Sequence, residues 1–126
     1  MREILFRAKS ITSGKWIESM TIARGTIKRK MNDYFIEDNN GEWKGVYHET
    51  IGQYTGLKDK NSKMIFEGDL FKIGAEKETF EVVYESGCFL AYCNGKQYGL
   101  LGELMMCFVQ IIGNIHDNPE LITNPK

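Results

Sequence analysis

Apolar and polar residues alternate with a period of two along most of this chain, the pattern of strands that bury one face. Ile4, Phe6 and Ala8 share one side, with Glu3, Arg7 and Lys9 on the other. After a break at Ser13-Gly14, Met20 and Ile22 alternate with Ser19 and Thr21 in a weaker strand that ends near Gly25. Tyr34–Glu37 and Trp43–Tyr47 flank Asp38-Asn39-Asn40-Gly41-Glu42. There Asn-Gly predicts a hairpin through a two-residue type I′ turn, because both residues tolerate positive φ.

The second half is more regular. Leu70-Phe71-Lys72-Ile73 reads as a strand stopped by Gly74, and Phe80, Val82 and Tyr84 alternate with Thr79, Glu81, Val83 and Glu85. Ser86-Gly87 and Asn94-Gly95 turn this strand into Cys88–Cys93 and then toward Lys96-Gln97-Tyr98, which predicts a three-stranded meander. Leu100, Leu101 and Leu104 have the spacing of one helical turn, and Phe108–Gly113 reads as a buried closing strand. Asn118-Pro119 matches an N-cap followed by proline at the first helical position. The pattern predicts a mainly β fold: an irregular antiparallel β-region over residues 1–49, packed on an SH3-like small barrel over 50–118, with a tail at 119–126. The alternative is one compact domain. Barrel closure would remove the exposed edges that make a meander sticky.

Composition narrows the function classes. A chain of 126 residues buries about two-thirds of its unfolded surface, enough for a core without disulfide staples. Sixteen basic and seventeen acidic residues leave a net charge of −1, without the basic excess that non-specific phosphate binding requires. Cys88, Cys93 and Cys107 are an odd number set among apolar residues, so a complete intrachain disulfide framework is excluded. Neither a signal-like leader nor a membrane-length apolar run occurs, and the expected compartment is the cytoplasm.

The most informative stretch is Gly52-Gln53-Tyr54-Thr55-Gly56-Leu57-Lys58-Asp59-Lys60-Asn61, continuing to Ile65-Phe66-Glu67-Gly68-Asp69. Together with the opening Arg2-Glu3-Ile4-Leu5-Phe6-Arg7-Ala8 and the close at Ile112-Gly113-Asn114-Ile115 and Asn118-Pro119-Glu120-Leu121, it resembles the YopX family of phage and prophage proteins. Ser62 departs from the glycine more usual in that family after Asp-Lys-Asn. The resemblance implies a β-rich small-barrel fold, encoded mainly by phages and integrated elements of Gram-positive bacteria. It brings no established activity, cofactor or catalytic residues.

Each candidate motif has a plainer structural account. Glu67 and Asp69, with Asp59 nearby in sequence, offer carboxylates for acid–base work or a hard cation, but glycine between two acids also describes a turn entering a strand. Tyr54, Lys58 and Asp59 form a candidate binding loop; the competing reading has Tyr54 and Leu57 in the core while Thr55-Gly56 and Asp59-Lys60-Asn61 turn the chain. Lys28, Arg29 and Lys30, followed by Tyr34 and Phe35, mix basic and aromatic groups as single-strand binders do. His48 and His116 lack metal-ligand spacing, and Cys88 with Cys93 lacks a second pair. No phosphate loop or nucleophile elbow occurs. The expectation is a non-enzymatic protein-binding or accessory module without a cofactor, in contact with a protein partner and free to form homo-oligomers; the alternative is a nucleic-acid-binding small barrel.

Overall fold

The computed structural model describes residues 4–27, 30–104 and 108–122, with the backbone alone for 23–27 and 30–33. The chain divides into two compact units, Met1–Tyr54 and Thr55–Lys126.

In the first unit, β1 (Phe6–Lys9) is a central strand. It pairs antiparallel with β2 (Trp16–Ser19), Lys9 opposite Trp16, and with the start of β6 (Gly52–Lys58), Phe6 opposite Gln53. A second sheet runs β3 (Ile22–Ile27), β4 (Lys30–Glu37), β5 (Trp43–Val46). The turn after β1 ties the two sheets together: Ser10 bridges Val46, the Ile11 amide donates to the Gly45 carbonyl at 2.9 Å, and the Tyr47 amide donates to the Lys9 carbonyl at 3.0 Å. Ala8, Ile36 and Val46 form the core between them, with Ile17, Ile22, Tyr34 and Ile51 packed around.

Alternation holds along β1 only in part. Ile4 is exposed, and Arg7, expected on the solvent side, is buried, its guanidinium 4.6 Å from the centre of the Trp16 ring. A cation stacked on an indole keeps electrostatic stabilisation where water is excluded.

In the second unit, the rest of β6 pairs with β7 (Met64–Phe66), and five strands form an antiparallel sheet. These are β8 (Asp69–Ile73), β9 (Phe80–Glu85), β10 (Cys88–Cys93), β11 (Lys96–Leu100) and β12 (Val109–Asn114), in the order β11-β10-β9-β8-β12. The meander β9–β10–β11 is the one read from the sequence. Both its turns have positive φ at both central residues, Ser86 with Gly87 and Asn94 with Gly95, as type I′ requires. The expected barrel closure does not occur: β11 and β12 are the two edges, and no pairing joins them among the described residues. The chain instead leaves β11 through a helical turn, α1 (Leu101–Leu104). Leu101 is fully buried with Ile65, Phe71, Phe80, Val82, Ala91, Val109 and Ile111, so side chains seal this core without strand pairing.

Two further expectations are corrected. Thr55-Gly56 does not turn the chain but stays inside β6, where Gly56 takes φ +87° and Thr55 Oγ1 donates to the Ile65 carbonyl at 2.8 Å. Asn118 does not cap the short 3-10 turn Pro119–Leu121 with its side chain; its Oδ1 accepts the Asn114 amide at 3.1 Å. Gly113 makes room for this, since a Cβ there would stand 2.7 Å from Asn118 Cγ.

The hairpin at 38–42 is not a two-residue type I′ loop either. Among its residues only Gly41 has positive φ, and the loop is a wider one closed by Asp38. The Asp38 amide donates to the Glu42 carbonyl (2.8 Å), the Gly41 amide donates to the Asp38 carbonyl (3.1 Å), and Asp38 Oδ1 accepts the amides of Asn40 and Glu42 (both 2.9 Å). The loop at 59–63 repeats this arrangement residue for residue. The Asp59 amide donates to the Lys63 carbonyl, the Ser62 amide donates to the Asp59 carbonyl, and Asp59 Oδ1 accepts the amides of Asn61 and Lys63. Aspartate wins at the first position because its carboxylate satisfies two amides that a turn leaves unpaired. The fourth position needs positive φ, met by Gly41 at +79° and by Ser62 at +66°. A non-glycine residue there costs about 1–2 kcal/mol, offset by about 0.5–1 kcal/mol of glycine's extra unfolded entropy. Ser62→Gly is therefore expected to stabilise the protein by up to about 1 kcal/mol, raising the calorimetric midpoint by about 2–5 °C, and Gly41→Ser to lower it by a similar amount.

Candidate functional site

The central block is built around two buried carboxylates. Asp59 is 7% exposed. Besides the two loop amides on Oδ1, its Oδ2 accepts the Ile111 amide at 3.0 Å, while the Lys60 amide donates to the Val109 carbonyl at 2.9 Å. The loop after β6 is thereby fastened to β12, fifty-two residues on. Burial alone would raise the Asp59 pKa, but the amides of Ile111, Lys63 and Asn61 and the Lys63 charge outweigh it, and the net shift is downward.

Asp69 is 2% exposed, and its Oδ2 accepts the Phe66 amide at 2.7 Å across Glu67-Gly68. Gly68 has φ +91°; its amide donates to the Val82 carbonyl and its carbonyl accepts the Ile115 amide, both at 2.9 Å. Each polar group of this turn with a described bond is spent on backbone. Among the described residues, no three His, Cys, Asp or Glu side chains gather into a group able to hold a metal ion.

The remaining sequence candidates fall in different places. Tyr54 is buried at the end of the first unit, its amide donating to the Leu5 carbonyl at 2.8 Å, whereas Lys58 is exposed at the end of β6 in the second unit. Lys28 and Arg29 lie outside the described residues; Lys30 opens β4 opposite Ile27. Cys107 also lies outside them. Burial, with Glu78 and Glu76 adding to it, pushes the Cys93 thiol up, away from the thiolate that nucleophilic chemistry needs. His48 is exposed, stacked on Tyr34 with ring centroids 5.8 Å apart and 3.5 Å from Glu49.

A surface that sequence reasoning missed lies on the outer face of β3–β4–β5. Register puts Tyr34, Ile36, Lys44 and Val46 on the core face of this sheet, and Phe35, Glu37, Trp43 and Gly45 on the other. Gly45 has no side chain, so Ile11, carried there by its bond to the Gly45 carbonyl, lies over it beside Phe35. A Cβ on Gly45 would stand 3.7 Å from Ile11 Cδ1 and 3.9 Å from Phe35 Cε2. Trp43 is 46% exposed, Ile11 51%, and Tyr47, just past the strand, 43%. The signal was present in the sequence: Phe35 and Trp43 fall on the side of their strands opposite the core-forming Ile36 and Val46. Period-two reading assigns one apolar face per strand and treats the other as solvated.

A family profile described as YopX protein matches residues 5–123. This chain belongs to the YopX family. The crystal structure of protein EF1440 from Enterococcus faecalis is similar over 98% of this chain and 100% of that one, at 26% identity and a TM-score of 0.58. Among curated proteins, no match was found. The YopX match spans both units, so the Asp59 and Asp69 turns and the outer face of β3–β4–β5 all fall within the family's extent. No helix among the described residues is long and apolar enough to cross a membrane.

The Asp59 bonds give a pH-dependent contribution of definite sign. The folded pKa lies below the ordinary value of 3.8, so the stabilisation is fully present above that value and is lost as pH falls through the folded pKa. Asp59→Ala leaves three backbone donors without their acceptor and is expected to cost about 3 kcal/mol at neutral pH. In urea titrations the gap between wild type and variant should be constant above about pH 5 and close on acidification. A gap that widens in acid would show that the carboxylate is not the acceptor drawn here.

Proposed function

We propose that this YopX protein is a non-enzymatic binding module, phage- or prophage-encoded and acting in the bacterial cytoplasm, that docks a protein partner on the outer face of β3–β4–β5. The observation that carries this reading is the face on which Ile11 and Phe35 meet over Gly45 and which Trp43 shares by register, with exposed Tyr47 following the strand; this unit's own core does not use that face. Tryptophan and tyrosine are the side chains that most often dominate binding energy, because they remove a large rigid area from water at low entropic cost. Glu37 shares the face, whereas Glu42, next to Trp43, is paired with Lys44 at 2.9 Å and Glu49 stands 3.5 Å from His48, so Glu37 is the acidic group on the face itself. The partner that fits presents aliphatic or aromatic anchors with a lysine or arginine placed to meet Glu37. Glu37 on this face, with a chain net charge of −1, disfavours a phosphate backbone, which sets this reading above nucleic-acid binding through Lys28, Arg29 and Lys30. Likeness of the second unit to an SH3-like barrel is supported by its strand order alone: a four-strand meander, a helical turn, and a fifth strand returning beside the first.

The test uses a triple variant, Ile11→Ser with Trp43→Ser and Tyr47→Ser. These positions are exposed, so its melting midpoint should stay within about 0.5 kcal/mol per substitution of wild type. Affinity capture from nuclease-treated host extract should enrich one protein with wild type and lose it with the variant. Equal capture by both, or a wild type that self-associates through this face in light scattering, would reject a foreign protein partner. For nucleic acid, mobility of single- and double-stranded DNA and RNA should be unchanged at micromolar protein in low salt. A salt-sensitive shift abolished by Lys28→Ala with Arg29→Ala would instead favour the alternative.

A further inference from the structure

The chain contains two Asn-Gly pairs, Asn40-Gly41 and Asn94-Gly95, and the fold treats them differently. We propose that Asn94 is a site of spontaneous deamidation and that the folded chain directs this reaction to Asn94 in preference to Asn40. In the reaction the backbone nitrogen of the following residue attacks the asparagine Cγ. A new N–Cγ bond forms, the nitrogen's proton passes to water or hydroxide, and ammonia leaves. Water then opens the five-membered imide at either carbonyl, giving aspartate or isoaspartate, with no oxidant or reductant involved. Glycine at the second position favours the attack because no Cβ obstructs it.

At Asn94-Gly95 no hydrogen bond among the described residues engages the two reacting groups, and the flanking ladder sets only the turn's backbone angles. Both residues are exposed, and neither the Asn94 carboxamide nor the Gly95 amide has a hydrogen-bond partner among the described residues. The turn is the two-residue loop between β10 and β11, held only by its flanking pair Cys93 and Lys96. At Asn40-Gly41 the attacking nitrogen is engaged. The Gly41 amide donates to the Asp38 carbonyl at 3.1 Å, and the Asn40 amide to Asp38 Oδ1 at 2.9 Å. Attack there requires breaking the first bond and turning the peptide plane against the second. The Asp38 charge also opposes the partial negative charge that the attacking nitrogen acquires.

The product matters for the fold. Isoaspartate adds a methylene to the backbone of a loop whose two positive-φ residues match the strand twist, and β11 is an edge strand with β10 as its partner.

The experiment is incubation of the intact folded protein at mildly alkaline pH and 37 °C, with peptide mapping by mass spectrometry over time. The mass gain of amide-to-acid conversion should accumulate several-fold faster at Asn94 than at Asn40, and the two should react at similar rates in a urea-unfolded sample. Folded protein in which Asn40 reacts as fast as Asn94, or in which neither changes while the unfolded sample reacts at both, overturns the proposal. So does a preference for Asn94 that persists undiminished in urea, since it would then come from local sequence and not from the fold.

Discussion

One carboxylate ties together the parts of the second unit that sequence separates most. Asp59 uses one oxygen to close its own loop and the other to hold Ile111, while the next residue's amide reaches Val109. An unpaired buried carboxylate would be driven neutral by desolvation; three amide donors hold Asp59 charged instead. Because β12 pairs with β8 and β8 with β9, the register of the edge strand is fixed from both sides, by the ladder and by this bond. Asp69 performs the neighbouring task at the β7–β8 turn, where its bond to the Phe66 amide lets Gly68 lie in a conformation suited to glycine.

This arrangement explains why the most recognisable stretch of the chain says little about activity. Aspartate at 59 and 69 and glycine at 68 are demanded by backbone amides and by φ, so the block identifies a lineage through its architecture. A carboxylate acting as general acid or base must exchange protons near the working pH. Asp59 is held the opposite way, with its pKa depressed and its lone pairs occupied.

Much of the second unit was legible because local rules and tertiary demands agree there. Phe80 and Val82 alternate inward, Asn94-Gly95 and Ser86-Gly87 adopt the turn type their residues favour, and Leu101 begins the helical turn its spacing suggests. Legibility failed where a side chain overrode a local rule. Asp38 converted an expected two-residue turn into a wider loop, Trp16 let Arg7 be buried, and Asn118 turned from its own helix to Asn114. Barrel closure was over-read for a related reason. Edge pairing is one way to protect a meander, but a buried leucine on a helical turn also excludes water from the core, and no residue pattern separates the two in advance.

The two aspartate loops show how a site can be invisible to motif reading while its scaffold is plain. Asp38 and Asp59 build the same loop, yet only Asp59 has a backbone amide from a distant strand on its second oxygen; Asp38 Oδ2 meets Lys44 at the surface, 4.0 Å away. Among the described residues no bond ties the Asp38 carboxylate to a distant strand, and the strand its loop opens, β5, carries Trp43 and Gly45 on a face the core leaves alone. Removing apolar area from that face would cost the folded unit little, because its core lies on the other side. Trp43 shares that face with Phe35, and Ile11 lies over Gly45, so these apolar groups sit where the unit's own core makes no demand, which is the physical basis of the proposed docking.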